Sequence, residues 1–219
     1  MMKPVTVFAA AAIAVMLLGQ PMPAIAAPSE QSAPVAFEQP SQMVQSVANE
    51  ILQALNGHRS QLRHDPKQIS VIVNKYLLPH FDAELAADGV LGRFARTATP
   101  QQKARFIQAF RDSLIKNYGA FLLDFHSNML TVYPTHVRPG TQVTVVRTVF
   151  TRADGSKVPV LFYVYMTPTG WKAFDLNVEG VSYVTSYRAD LGPQIEQYGL
   201  DAVIKRLENG EKPSALNKH

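Results

Sequence analysis

The chain has 219 residues, no cysteine, and 21 basic against 17 acidic side chains, a formal charge of +4. Without cysteine there is no disulfide framework, zinc–cysteine site, thiol nucleophile or lipidated cysteine. Charged residues are 17% of the sequence and no run of five or six basic side chains occurs, so nothing marks a nucleic-acid partner.

Residues 1–26 read as a secretory signal peptide. Lys3 supplies the positive start, Val5 to Leu18 the apolar stretch, and Ala24-Ile25-Ala26 a small-x-small cleavage pattern after Gly19, Pro21 and Pro23. An apolar core of about 14 residues falls short of the roughly 20 needed to span a bilayer. Residues 27–40, rich in Pro, Ser, Gln and Ala, read as a flexible leader, 41–208 as one domain, and 209–219 as a flexible tail.

Ser41 is the expected cap of a first helix with Val44, Val47, Ile51, Leu52 and Leu55 on its apolar face, closed by Asn56-Gly57. Asp65-Pro66-Lys67-Gln68 starts a second, which buries Ile69, Ile72, Val73, Tyr76 and Leu77 and stops at Pro79. A short helix runs from Asp82 toward Leu91 and Gly92. Thr99-Pro100-Gln101-Gln102 opens the longest helix, to about Phe125, with an aromatic stripe of Phe106, Phe110, Tyr118, Phe121 and Phe125. Alone such a stripe reads as core; set against a sheet apolar on both sides it becomes a candidate wall of a cavity.

Strands are predicted near Met129–Val137, Thr141–Thr151, Val158–Met166 and Trp171–Val178. Turn residues at Ala153-Asp154-Gly155-Ser156 and Thr167-Pro168-Thr169-Gly170 join the last three into an antiparallel meander. In Val158–Met166 one face carries Val158, Val160, Phe162, Val164 and Met166, and the other Leu161, Tyr163 and Tyr165. A strand with water on one side alternates apolar with polar residues, so this sheet has apolar material on both sides. Pro159 belongs near a strand end, bulge or edge. Helices around Val181–Tyr198, capped by Ser182, and Asp201–Glu208 follow. Helices, then a meander, then helices give an α+β fold: a curved antiparallel sheet of about four strands with surrounding helices.

Catalytic patterns are missing. No two histidines have metal-binding helical spacing, Ser182 lacks the second glycine of a nucleophile elbow, and there is no phosphate loop. Arg147 interrupts an apolar strand and needs solvent, a carboxylate or a lipid phosphate as its partner. Trp171 reads as core.

The ordered series Phe81-Asp82, Val90-Leu91-Gly92, Ala98-Thr99-Pro100-x-Gln102, Phe106, Ala109-Phe110, Leu114 and Tyr118 resembles the MlaC, or toluene-tolerance, family. Trp171-Lys172-x-x-Asp175, Glu179-Gly180-Val181-Ser182, Tyr187-Arg188 and Gly199-Leu200-Asp201 continue it, so the resemblance spans about residues 41 to 208. Phe94, Tyr183 and Ser186 stand where the family more often has Trp, Leu and Asn. The resemblance implies a periplasmic phospholipid carrier with a deep apolar pocket, no catalytic residues, no metal, and no cofactor beyond the lipid cargo. Its partners would be an inner-membrane ABC transporter with a ring of MCE domains and an outer-membrane lipoprotein–porin complex. The expected lipid-binding wall is Phe94, Phe106, Phe110, Tyr118, Val145, Phe162, Val164 and Val181. Two rival readings stand beside it. One is an NTF2-like α+β pocket enzyme using His80 or His126 with Asp82 or Asp124. The other is a lipid-free periplasmic adaptor that docks a protein.

Overall fold

The computed structural model describes residues 39–211. The signal-peptide reading of 1–26, the leader to residue 38 and the tail from 212 lie outside the described residues.

Helix α1 (Pro40–Leu55) starts one residue before its expected cap. Gln39 takes the cap position and Pro40 the first turn, where a missing N–H costs nothing. Ser41 therefore has a different role: its hydroxyl accepts from the Thr135 N–H at 3.2 Å, beside Gln39 Oε1, which accepts from Val137 N–H at 3.3 Å. These bonds explain why the first strand is shorter than predicted. Tyr133 N–H still bonds Arg147 O of β2 at 3.0 Å, but the Thr135 and Val137 donors turn to the start of α1, so β1 is only Leu130–Val132.

A short helix not anticipated from sequence, α2 (Arg59–His64), precedes α3 (Pro66–Ile72), which Asp65 caps through the Lys67 N–H at 3.2 Å. The predicted regular run to Pro79 does not persist. Pro79 has no N–H for the carbonyl one turn back, and the chain widens over Val73–Leu77, then tightens over Leu78–His80. Asp82 N–H bonds Ala173 O at 2.8 Å, which seats this bend on the sheet. Asp82 also caps α4 (Ala83–Leu91) through Leu85 N–H at 2.8 Å.

Helix α5 (Pro100–Tyr118) has the reciprocal Thr99–Gln102 cap its sequence predicts. It ends earlier than expected, and Gly119–Asp124 wind into a tighter turn. Gly119 lies so close to Ile69 that a Cβ would meet its Cγ2 at 3.0 Å. The Arg59 guanidinium takes the Leu123 and Phe125 carbonyls at 2.5 and 2.6 Å.

Five strands, one more than expected, run antiparallel in sequence order: β1, β2 (Val143–Thr151), β3 (Lys157–Thr167), β4 (Gly170–Val178) and β5 (Val181–Ser182). The extra strand arises from a two-residue turn. Glu179 and Gly180 both have positive φ, 52° and 89°, and this folds Val181 back onto Val178. Helix α6 (Tyr183–Tyr198) thus starts after the predicted Val181, and Ser182 caps it as expected, accepting from Thr185 N–H at 3.0 Å. Helix α7 (Leu200–Glu208) ends in a turn where Arg206 and Glu211 pair at 2.6 Å. A bulge at Tyr163/Val164 interrupts the β3–β4 register.

Three apolar clusters hold these elements. Helices α4 to α7 pack around Phe106, Phe110, Tyr187 and Ile204. The α1–α3 region closes on Leu123, and α1 lies on the sheet over Val146, Val164 and Trp171. The other sheet face carries Tyr163 and Tyr165, whose rings sit 6.4 and 6.0 Å from Phe174. The side chains of this face are apolar or aromatic, but Val145, Tyr163, Tyr165 and Phe174 are only half-buried and Val143 is exposed, so it is not covered as the α1 face is and the expected apolar cover on both sides is met on one. Arg147 is exposed.

Candidate functional site: an apolar cavity between α1 and the sheet

The second and third clusters do not close on each other. Between them lies a cavity of about 320 Å³. Helix α1 gives it Met43, Val44, Val47, Ala48 and Ile51; the bend after α3 gives Leu77, His80 and Phe81. The tight turn after α5 contributes Phe121, Leu122 and Phe125, and the sheet Leu130, Phe150, Val160, Phe162, Ala173 and Leu176. Phe125 stacks on Phe150 with ring centres 6.2 Å apart, joining turn to sheet. Phe121 is 70% exposed, which places one edge of this lining at the surface.

Among the described residues, His80 is the one ionisable side chain in this lining. It is half-buried, and desolvation holds its imidazole below the ordinary value of 6.5, opposed by the Glu50 carboxylate and aided by Lys172. A larger hollow of about 740 Å³ near Arg96 is lined by Glu84, Asp88, Arg96 and Lys103 among others. Those charges disqualify it as a dry surface for hydrocarbon.

Of the eight expected wall residues, Phe162 lines the cavity. Val164 is fully buried beside it in the core under α1. Phe106 and Phe110 lie in the helical cluster, where Phe110 meets the Tyr187 ring edge-on at 5.0 Å, and Phe94 and Tyr118 pack against the same cluster. These four do not border the cavity: α5 turns Phe106, Phe110 and Tyr118 toward α6 and α7, and Phe94 lies on the tight turn Gly92–Arg96 after α4. Val145 alternates with the buried Val146 and so faces the other side of the sheet. Val181 sits on β5 opposite Val178, outside the lining. The residues missed were chiefly those of α1, together with His80, Phe121, Phe125, Phe150 and Leu176. The apolar face of α1 and the end of the aromatic stripe were visible in the sequence; nothing in it said that they face each other.

The carboxylates weighed as catalytic partners have structural roles. Asp82 caps α4 and accepts a hydrogen bond from the Tyr165 hydroxyl, which pushes that phenol up to about 12. Asp124 is exposed and pairs with Arg63 at 2.7 Å. Burial pushes the Tyr187 phenol well above its usual range. Among the described residues no three His, Asp or Glu side chains form a metal cluster.

The family model for the MlaC protein matches residues 45–209. The chain belongs to the MlaC family. It is 27% identical over 168 residues to the toluene tolerance protein ttg2D of Pseudomonas putida, covering 76% of this chain and 78% of that one. It is 21% identical over 189 residues to the intermembrane phospholipid transport system binding protein MlaC of Haemophilus influenzae, covering 84% and 88%. Its fold matches a phospholipid-binding protein of Ralstonia solanacearum solved in complex with a phospholipid, with a TM-score of 0.71, 21% identity, and coverage of 78% of this chain and 95% of that chain. This MlaC-family cavity therefore sits in the α+β architecture that the sequence predicted.

Proposed function

We propose that this chain is a phospholipid carrier of the periplasm. It takes acyl chain into the cavity between α1 and the sheet and leaves the headgroup outside. Residues 1–26 export it and are removed, and the domain over about 41–208 does the carrying. Its donors and acceptors are an inner-membrane ABC transporter bearing MCE domains and an outer-membrane lipoprotein–porin complex. Family membership and the transport system named for the Haemophilus relative support this reading.

One observation carries it: a lining that is hydrocarbon except at His80. Each methylene moved out of water is worth about 0.8 kcal/mol, so a tail of about 16 carbons resists water by on the order of 13 kcal/mol. Only a dry compartment offsets that penalty during an aqueous crossing. A volume of about 320 Å³ is near the lower end of ligand cavities, roughly 300–1,000 Å³, which favours holding tail and leaving the polar end outside. Phe162, with Phe121, Phe125, Phe150 and Leu176, is the proposed contact set. Handover must be nearly isoenergetic, so the direction of flow belongs to the transporter and its ATP use; moving a lipid breaks no covalent bond and asks for no catalytic residue.

Native mass spectrometry of protein taken directly from the periplasm tests the proposal. A stoichiometric adduct of phospholipid mass is expected, transferable to acceptor vesicles. Folded protein that is empty from cells and takes up no phospholipid from vesicles refutes it.

A further inference from the structure

We infer that the sheet face turned away from α1 docks a protein partner that brings a carboxylate, set among apolar side chains, to Arg147. Leu130, Phe150, Val160 and Phe162 point to the cavity, so the residues alternating with them point away from it. Tyr133 N–H bonds Arg147 O at 3.0 Å, Arg147 pairs with Leu161, and Val145 pairs with Tyr163, which makes one patch across β1, β2 and β3. Tyr133 is 48% and Val143 59% exposed, Arg147 is exposed, and Val145, Leu161 and Tyr163 are half-buried. Cover from the described helices stops at β4, where Tyr165 bonds Asp82 at the start of α4 and Asp175 holds the start of α6. None of the patch residues lines the cavity, so the inference does not depend on the carrier reading.

Arg147 sets the chemistry of the occupant. Among the described residues no carboxylate pairs with it. The acids nearest in register are engaged: Asp175, opposite Tyr163, accepts from Ser182 and Val184, and Glu179 pairs with Arg152 at 3.7 Å. Lys157, opposite Thr151 at the edge of the patch, is also basic. Covering this face takes the guanidinium out of water, a cost that an anion within its reach offsets. A bilayer is a poor match, because two cations attract anionic lipid by only about 1 kcal/mol each and most of the apolar side chains here are half-buried. A second copy stacked on the same patch brings like charges together. Arg and Tyr side by side are instead what the energetic centre of a protein interface is made of, and the planar guanidinium takes a carboxylate through two parallel hydrogen bonds.

The test places photoactivatable benzoylphenylalanine at Val143 of the full-length chain, expresses it in its native cells and irradiates them. One protein adduct is expected, with an Asp or Glu of the partner beside the cross-linked peptide. Arg147→Glu is expected to cut its yield by about tenfold or more, and Arg147→Lys, which keeps the charge without the fork, to cut it less. Reversing the partner's acid to Arg should restore the yield with Arg147→Glu, which also shows that this variant folds. Lipid recovered with Arg147→Glu should equal that of the unaltered protein; a lost load puts Arg147 in the lipid site and overturns the inference. Adducts only to lipid, only to a second copy of this chain, or none at all overturn it. A yield that Arg147→Glu leaves unchanged, or a partner with no acid whose reversal restores it, does the same.

Discussion

Replacing Ala48 by Leu separates a hollow interior from a filled one. Ala48 is 7% exposed and lines the cavity from α1, a helix that accepts Leu without backbone cost. The new isopropyl group is roughly three methylene equivalents, about 2.4 kcal/mol of apolar burial. Fixing its rotamer costs about 0.5–1 kcal/mol. If the space is open, the lipid-free protein gains about 1.5 kcal/mol, and for a domain of this size its Tm rises by about 3–6 °C. The same group occupies room that a lipid tail would use, so the tail loses comparable burial and its retention falls about 50-fold. Thermal unfolding of delipidated protein and mass-spectrometric lipid quantitation read the two effects, which must have opposite signs. A filled core gives the reverse for stability, since overpacking costs about 1–3 kcal/mol. A lowered Tm in the lipid-free variant would falsify the cavity.

Arg59→Leu removes the two bonds that hold the turn carrying Phe121, Leu122 and Phe125; with a part-exposed guanidinium we expect a loss of about 1–2 kcal/mol. Hydrogen exchange should quicken over 119–125 more than elsewhere, and a uniform change would speak against a local clamp. Asp175 accepts from Leu176 N–H at 2.8 Å, Ser182 Oγ at 2.6 Å and Val184 N–H at 3.0 Å, stitching β4 to the start of α6. Asp175→Ala should cost about 2–3 kcal/mol in urea denaturation, more than the roughly 1–2 kcal/mol of Ser182→Ala, which removes the cap and one of the three donors to Asp175. Because the folded His80 imidazole lies below its ordinary 6.5, the unfolded chain binds its proton more readily as pH falls through that value. The lipid-free protein should therefore lose stability from pH 7 toward pH 5, and His80→Gln should show a shallower slope. Parallel slopes would remove His80 from the acid response.

The signals that were read correctly are local ones. The Thr99–Gln102 cap, the Asp65 and Asp82 helix starts, the Ser182 cap and the meander turns each depend on residues a few positions apart, so the sequence displays them directly. What was misread depends on distant partners. Gly119, where α5 ends, sits against Ile69 about fifty positions upstream, and Arg59 holds the following turn from about sixty positions upstream. The first strand is cut short by Gln39 and Ser41, more than ninety positions away. The short β5 escaped because two paired residues carry no periodicity.

The aromatic stripe shows how one helical pattern serves two physical ends. Before Gly119 its Phe106 and Phe110 are 0% and 5% exposed, and Tyr118 packs against the same helical cluster, which contributes nothing to the cavity. After Gly119, Phe121, Leu122 and Phe125 belong to the cavity wall. The spacing is continuous across the break, so periodicity alone assigns both halves to one surface. The division has a mechanical consequence. The α4–α7 cluster closes on itself, and the cavity is bordered by α1, two irregular turns and the sheet. A tail entering or leaving disturbs contacts of the second group, and touches the first only through Tyr118, whose ring stacks on Phe121 with centres 6.4 Å apart. Substitutions such as Phe106→Leu should accordingly lower Tm without changing the lipid carried by the folded fraction, and Phe162→Ala should change lipid retention by more than its effect on Tm predicts. If Phe106→Leu instead altered lipid content in fully folded protein, the helical core and the cavity would have to be one continuous body.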